Sequence, residues 1–474
     1  MSKTIRIEPI TRVEGHGKVT IYLDDNGTVK DTRFHVTQFR GFEKFCDGRP
    51  FNEMPSIMAR ICGICPVSHL IASSKACDNI LAVKIPETGE KLRRILNLAQ
   101  FVQSHALSFF YLTIPDLIFG MESDKEIRNI FGVLKSKPAL VKDGIKLRKF
   151  GQQIIEDIAG KRIHPPWVVP GGVTEPLTIK KRDKILNSIP EAKNIIQNTL
   201  DWYKKEVSRF SEEIEFYGSF PTKYLGLTTK DLGIELYDGF LSMIDSKGKL
   251  LIDRMNPSLY EDYIEETVES WSYLKFPYYK NEGYPKGIYR VGPLARLNII
   301  THFGTPKADE ELREFKSMDQ KPIESNFHTL YARLIEILYS IEKIEDLLND
   351  PKINSKMIRA HAGVNQLEGI GMSEAPRGSL IHHYKVNEEG SITWVNLIIA
   401  TAHNNLAMNK AILQVTQKYI SNPEIPKSIL NRIEAVIRTF DPCLSCSTHA
   451  IGKMPLQIQL IDSLGNIIDR YKRS

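Results

Sequence analysis

"RICGICPVSH", residues 60–69, sets two cysteines three apart, with an arginine ahead of them and a histidine four residues beyond the second. A C-x-x-C turn brings two thiolates to one side of the backbone, where both can clasp one ion. Alone, the pattern fits zinc, a redox disulfide or half of a larger metal site. The other half stands at residues 441–449, "DPCLSCSTH", a second C-x-x-C with a histidine three after its second cysteine. Cys62 and Cys443 lie 443 − 62 = 381 residues apart. Two such clasps close a four-sulfur site, and thiolate ligation selects zinc, iron, nickel or copper(I).

On spacing alone, a structural four-cysteine zinc knot is the first reading. Two observations weigh against it. Structural zinc modules usually place their pairs tens of residues apart in a unit that cannot fold otherwise, whereas these pairs sit near opposite ends of a 474-residue chain with ample core of its own. The surroundings are also rich in ionisable groups, which a structural zinc does not need.

The bulk composition, 42% hydrophobic and 25% charged with a net charge of +6, is that of a soluble globular protein. Basic stretches such as "IKKRDK" (179–184) are interspersed with acids and read as solvated faces, which argues against nucleic-acid binding. No apolar run is long enough to span a membrane. The first residues lack a signal-peptide pattern, so a cytoplasmic location and reduced thiols are expected. Cys46 and Cys77 have no motif around them and read as ordinary buried thiols.

Strand-like alternation in "TIRIEPI", "GKVTIYL" and "TVKDTRFHV", with Asn26-Gly27 as a hairpin signal, predicts a small antiparallel sheet over about 4–37. Helical spacing then takes over, through Leu92, Ile95, Leu96, Ala99 and Val102, and through Ile196, Leu200, Tyr203 and Val207. It is clearest through Leu330, Leu334, Ile337, Ile341, Ile344 and Leu348. Hairpins are expected at 241–252 and 384–399, and helices over about 403–419 and 427–439, the last stopped by Pro442. The expected fold is mainly α with α+β decoration: one domain over 1–449, with a helical core over about 50–449.

The two cysteine stretches resemble R-x-C-G-x-C-x-x-x-H and D-P-C-x-x-C-x-x-H, the paired signatures of the large subunit of nickel–iron hydrogenases. "ITRVEGHG" (10–17), "FRGFE" (39–43), "GKRIHPPWVVPGG" (160–172) and "EAPRGSLIHHY" (374–384) resemble the same family, so the likeness covers nearly the whole chain. It implies the hydrogenase large-subunit fold and reversible heterolytic cleavage of dihydrogen into a hydride and a proton. It also implies a nickel–iron centre whose iron carries carbon monoxide and cyanide. Cys62 and Cys443 would bind nickel alone, while Cys65 and Cys446 bridge nickel to iron.

The resemblance implies further roles residue by residue. Cys443 would accept the proton and Glu14 would gate its exit; read without the motif, Glu14 is an ordinary salt-bridge residue, with Arg12 at hand. Arg377 would lie over the open metal position or donate to cyanide, with Pro376 shaping the same wall. Asp116 would hold the Arg377 guanidinium, and Asp441 belongs to the second cysteine motif. Thr401 keeps a hydroxyl that could donate to cyanide, and His69 would support a bridging cysteine. Glu43, His449 and the backbone carbonyl of Leu397 would hold a magnesium ion or a similar divalent cation.

The "ATAHNN" form (400–405), with Ala400 where many members have proline, resembles the soluble branch of the family. That branch implies an iron–sulfur small subunit, together with electron-acceptor subunits of the NAD-linked diaphorase or heterodisulfide reductase type. Residues 450–474 resemble the extension that members lose to a maturation endopeptidase after nickel-insertion proteins have acted, and "QIQLIDSLGNIIDRY" within it reads as a hairpin. Two other readings are a structural four-cysteine zinc protein and a non-catalytic homologue of the complex I type, which has generally lost the cysteines.

Overall fold

Alternating apolar residues at the N-terminus form a three-stranded antiparallel sheet of β1 (Thr4–Ile7), β2 (Gly17–Leu23) and β3 (Val29–Val36). Val19, Ile21, Phe34 and Val36 are buried, and they fall on the period-two face that the pattern predicts. The Asp24 carboxylate accepts from the backbone N–H groups of Asn26 and Thr28 and closes the expected turn. The structure is a computed structural model that describes residues 4–124, 126–420, 427–448, 457–461 and 467–472.

Eight helices frame the core and the site: α1 (Pro66–Leu81), α2 (Glu87–Leu107), α3 (Pro138–Ala159), α4 (Ile179–Glu206), α5 (Pro293–Ile299), α6 (Thr329–Leu348), α7 (Asn405–Tyr419) and α8 (Lys427–Phe440). α2 and α4 each pack against both α3 and α6, which makes a four-helix core. The six-residue stripe from Leu330 to Leu348 is buried along α6, as its 3.6-residue period requires. α2 runs on into a π-helical turn, Ser108–Thr113, and then a short helix, Ile114–Phe119, which carries Asp116.

Beside the helices lie β4 (Lys223–Thr228), β5 (Phe240–Ile244) and β6 (Leu250–Met255), a meander that includes the hairpin expected at 241–252. β7 (Glu368–Ala375), β8 (Gly378–Val386) and β9 (Ile392–Ile398) form a second antiparallel sheet. Ala375 pairs with Gly378, so Pro376 and Arg377 are the two loop residues of the β7–β8 hairpin. α1 rests directly on β7 because alternate residues there are glycines. A Cβ on Gly371 would stand 1.9 Å from the carbonyl oxygen of Ala72.

The expected C-terminal hairpin is present as antiparallel β10 (Gln457–Ile461) and β11 (Ile467–Lys472). Among the described residues, no helix is long and apolar enough to cross a membrane.

Candidate metal centre

Cys62 follows a 3-10 turn, and Cys65 caps the N-terminus of α1, where Pro66 takes the first helical position and needs no N–H partner. Cys443 lies just past the end of α8, and Cys446 sits in a 3-10 turn over Ser445–Ser447. The four buried sulfurs lie within 4.8 Å of one another. Cys65 Sγ is 2.9 Å and Cys443 Sγ 3.4 Å from Cys62 Sγ, and all four are free thiols. Metal–sulfur bonds of about 2.3 Å keep the sulfurs of one ion within ~4.6 Å of each other, the scale of this cluster. The donor set therefore fits a soft or borderline metal. Burial pushes the Cys443 and Cys446 thiols up, while hydrogen bonds with the other three cysteines hold Cys65 well below the usual thiol range. Cys46 and Cys77 are buried outside the cluster, and burial pushes Cys46 up to about 12.

The second cysteine pair is seated against the N-terminal strand region. Glu14 and Cys443 form a parallel β-bridge, and the Leu444 N–H donates to the Glu14 carbonyl at 3.0 Å. Gly15 makes the approach feasible: it has φ +86°, and a Cβ there would lie 2.8 Å from both Leu444 Cβ and the Ser445 nitrogen. The Glu14 carboxylate accepts from Cys443 Sγ at 3.1 Å, from the Ser445 N–H at 3.1 Å and from the Ser445 hydroxyl. Arg12 turns the other way, to Asp116 Oδ1 at 2.5 Å and the Leu112 carbonyl at 2.7 Å. The salt-bridge alternative for Glu14 therefore does not form.

Arg377 is buried with its Nε on the Asp441 carbonyl at 2.6 Å, its Nη2 3.1–3.2 Å from both Asp441 carboxylate oxygens, and its Nη1 on Ser104 at 3.2 Å. The expectation that Asp116 holds this guanidinium is corrected. Asp116 is taken up by Arg12 and by Arg438, whose Nε lies at 2.9 Å, with Arg128 at 3.5 Å. The short helix after the π turn aims Asp116 at α8, whereas Asp441, at the end of α8 with φ +51°, reaches Arg377. Thr401 Oγ accepts from the Cys443 N–H at 3.0 Å, which leaves its own O–H as a donor. His69 hydrogen-bonds Cys65 and, through Nδ1, His382 Nε2 at 3.2 Å; His382 continues to Tyr384 and Ser73.

Glu43 Oε1 accepts from the Leu397 N–H at 2.9 Å and from Lys275 Nζ at 2.7 Å. The N–H and C=O of one strand residue point to the same edge, so the Leu397 carbonyl lies on the strand edge that carries this bond. Glu266 lies 3.4 Å from Lys275, with its Oε1 buried and unpartnered, and burial raises its carboxyl. His449, the third expected ligand there, lies outside the described residues.

Several supports escape the sequence reading. Gln100 and Gln103 of α2 both donate to the Ile64 carbonyl, at 2.7 and 2.6 Å, and pin the turn between the first two cysteines. His164 Nε2 contacts the Cys62 carbonyl at 3.1 Å. Ser445 and Ser104 also belong to this group. A signal did exist for α2, because Asn97, Gln100 and Ser104 recur at helical spacing inside an otherwise apolar segment and are all buried.

These contacts define a protein with a buried four-cysteine site, able to hold a metal ion, closed between its N-terminal and C-terminal segments. Residues 40–124 and 243–449 match the sequence family described as nickel-dependent hydrogenase, and residues 4–39 match one described as HoxL-like. The NAD-reducing hydrogenase HoxS subunit beta of Cupriavidus necator is 40% identical over the full length of both chains. A vhc subunit of the F420-non-reducing hydrogenase of Methanococcus voltae is 43% identical over 95% of this chain and 96% of its own. A crystal structure of an NAD+-reducing NiFe-hydrogenase in the H2-reduced state superposes with a TM-score of 0.91 at 43% identity, covering 94% of this chain and 99% of that one. The chain belongs to the nickel-dependent hydrogenase family, as a catalytic large subunit with its four-cysteine metal site. This assignment sets aside the zinc-knot and complex I readings.

Proposed function

We propose that this chain splits dihydrogen heterolytically and reversibly, passing the proton out through Glu14 and the electrons to an iron–sulfur small subunit. The observation that carries the reading is the Cys443 Sγ–Glu14 Oε2 hydrogen bond of 3.1 Å inside the thiol cluster. A nickel–iron centre with carbon monoxide and cyanide on its iron would, when bound, supply the electrophilic and redox chemistry of the reaction. Cys62 and Cys443 would hold its nickel, and Cys65 and Cys446 both nickel and iron. The Cys443 sulfur takes the proton as the nearby base, and Glu14 relays it at Oε2. Ser445 keeps that carboxylate in place with its N–H and hydroxyl.

Arg377, locked by Asp441 and Ser104, holds a fixed positive charge by the site and keeps water from it, with Pro376 on the same wall. The Thr401 O–H would donate to a cyanide of that centre, and His69 steadies Cys65. Glu43 and the Leu397 carbonyl, with His449, would hold a magnesium ion or a similar divalent cation.

Only Cys46 and Cys77 remain as thiols outside the centre, too few for a cluster of its own. The electrons therefore leave through a partner, and onward to an NAD-linked or heterodisulfide-reductase-type acceptor in the cytoplasm. A maturation endopeptidase acting after nickel insertion removes residues 450–474. X-ray fluorescence of the purified assembly, with hydrogen-dependent dye reduction, is the test. Nickel plus iron with activity is the expected result, and zinc with an inert protein would overturn the reading.

A further inference from the structure

Arg296 sits one turn into α5, buried between α6 and the β7–β8 hairpin, and none of its hydrogen bonds ends on a cysteine of the centre. A guanidinium has five N–H donors in a rigid fork, and here every one has an acceptor. Nε donates to Glu336 Oε1 at 2.6 Å, and Nη2 to Glu336 Oε2 at 2.7 Å and the Pro376 carbonyl at 3.3 Å. Nη1 donates to Glu374 Oε2 at 2.6 Å and the Ala375 carbonyl at 3.2 Å. Glu336 also takes His105 Nε2 at 2.8 Å, and Glu374 takes the Leu227 N–H and the Ser379 hydroxyl. Arg296, Glu336, Glu374 and His105 are all fully buried.

Such a cluster is a poor device for stability. Burying ions costs more than burying apolar groups of the same shape, and a hydrophobic replacement is often equally stable or better. What it does supply is geometry: two of the five bonds end on the consecutive carbonyls that lead into Arg377. The same helix grips the loop from its other side. Gly292, the N-cap of α5, has φ +97°, and a Cβ there would stand 2.7 Å from the Arg377 carbonyl oxygen. Gly292 and Arg296, four residues apart, thus bracket Pro376 and Arg377.

We propose that Arg296, anchored by Glu336 and Glu374, is a positioning residue that sets the height and direction of the Arg377 side chain over the metal centre. This rests on the reading of Arg377 given above. Lysine at 296 would keep the charge but cannot reach two carboxylates and two carbonyls at once, so the loop would drift while the core stays charged and filled. Displacement of a catalytic group by about 1 Å is enough for large losses in turnover.

The test is a double-mutant cycle in the assembled holoenzyme: Arg296→Lys, Arg377→Lys and the double variant. Arg93→Lys serves as a control, since Arg93 is an equally buried arginine paired with Asp78. Nickel content, Tm, and kcat and KM for hydrogen are measured for each. Expected for Arg296→Lys are normal nickel, unchanged KM and a loss in kcat of about tenfold or more. The double variant should be no slower than Arg377→Lys alone, because an effect exerted through Arg377 vanishes once its fork is gone. Arg93→Lys should lower Tm, keep turnover per nickel, and combine multiplicatively with Arg377→Lys.

Wild-type turnover in Arg296→Lys, or a multiplicative cycle, would overturn the inference. If Arg296→Lys does not load nickel, Glu336→Gln takes its place in the same cycle. Failure of both to load while Arg93→Lys loads marks the cluster as structural only and also overturns it. An inert, nickel-free wild type would remove the underlying reading, whereas an active wild type with a multiplicative cycle removes only this inference.

Discussion

At the residue scale, two carboxylates expected near the centre part company. Glu14 shares a hydrogen bond with Cys443, and Asp116 belongs to an arginine cluster facing α8. Glu14→Gln keeps the shape and the acceptor oxygen but cannot relay a proton. It should retain nickel while hydrogen-driven dye reduction and deuterium exchange fall by about 100-fold or more. Arg377→Lys, which loses the fork that spans Asp441 and Ser104, should lower kcat by on the order of 100-fold with nickel intact. Asp116→Asn removes the buried carboxylate that Arg12, Arg128 and Arg438 share. Denaturant unfolding should show a loss of about 3 kcal/mol.

At the scale of elements, the α1–β7 contact is the joint that holds Cys65 and His69 in place. Gly371→Ala puts a methyl group 1.9 Å from the Ala72 carbonyl, so helix and strand must separate. A cost of about 1–3 kcal/mol and incomplete nickel loading are expected from melting curves and metal analysis. Most elements were legible in the sequence because their periods are local: the N-terminal alternation, the stripe of α6, the hairpins at 241–252 and 384–399. The cysteine pairs were legible because their spacing is chemistry rather than packing. The partner of Arg377 was not, since Asp441 and Asp116 both sit near prolines, and only the tertiary path of the π turn and of α8 decides between them. Gln100 and Gln103 are not legible in this way, because a polar residue on a helix reads as solvent-facing until the helix is known to be covered on every side.

For the whole molecule, burial of neutral histidines couples folding to pH. Burial holds His403 down to about 3 and His328 to about 4, against an ordinary value of 6.5. Both contribute stability that is fully present above pH 6.5. That stability is lost as the pH falls toward 4, because the unfolded chain takes up protons the folded one refuses. The two together should steepen the loss to roughly 3 kcal/mol per pH unit in that window. Chemical denaturation at stepped pH should show it, and His403→Gln should remove about half of their joint contribution.

The parallel bridge between Glu14 and Cys443 has a consequence for the order of events in the life of the chain. During synthesis Cys62 and Cys65 emerge first and can offer any passing ion only half a set of ligands. The other half follows 381 residues later. An ion held by all four sulfurs closes a ring of that size, and holding such a ring shut costs the unfolded chain about 5 kcal/mol of loop entropy. Occupancy of the centre therefore reports that translation has run past Cys446 and that the two ends have met, so a truncated or misfolded product cannot pass as a loaded one.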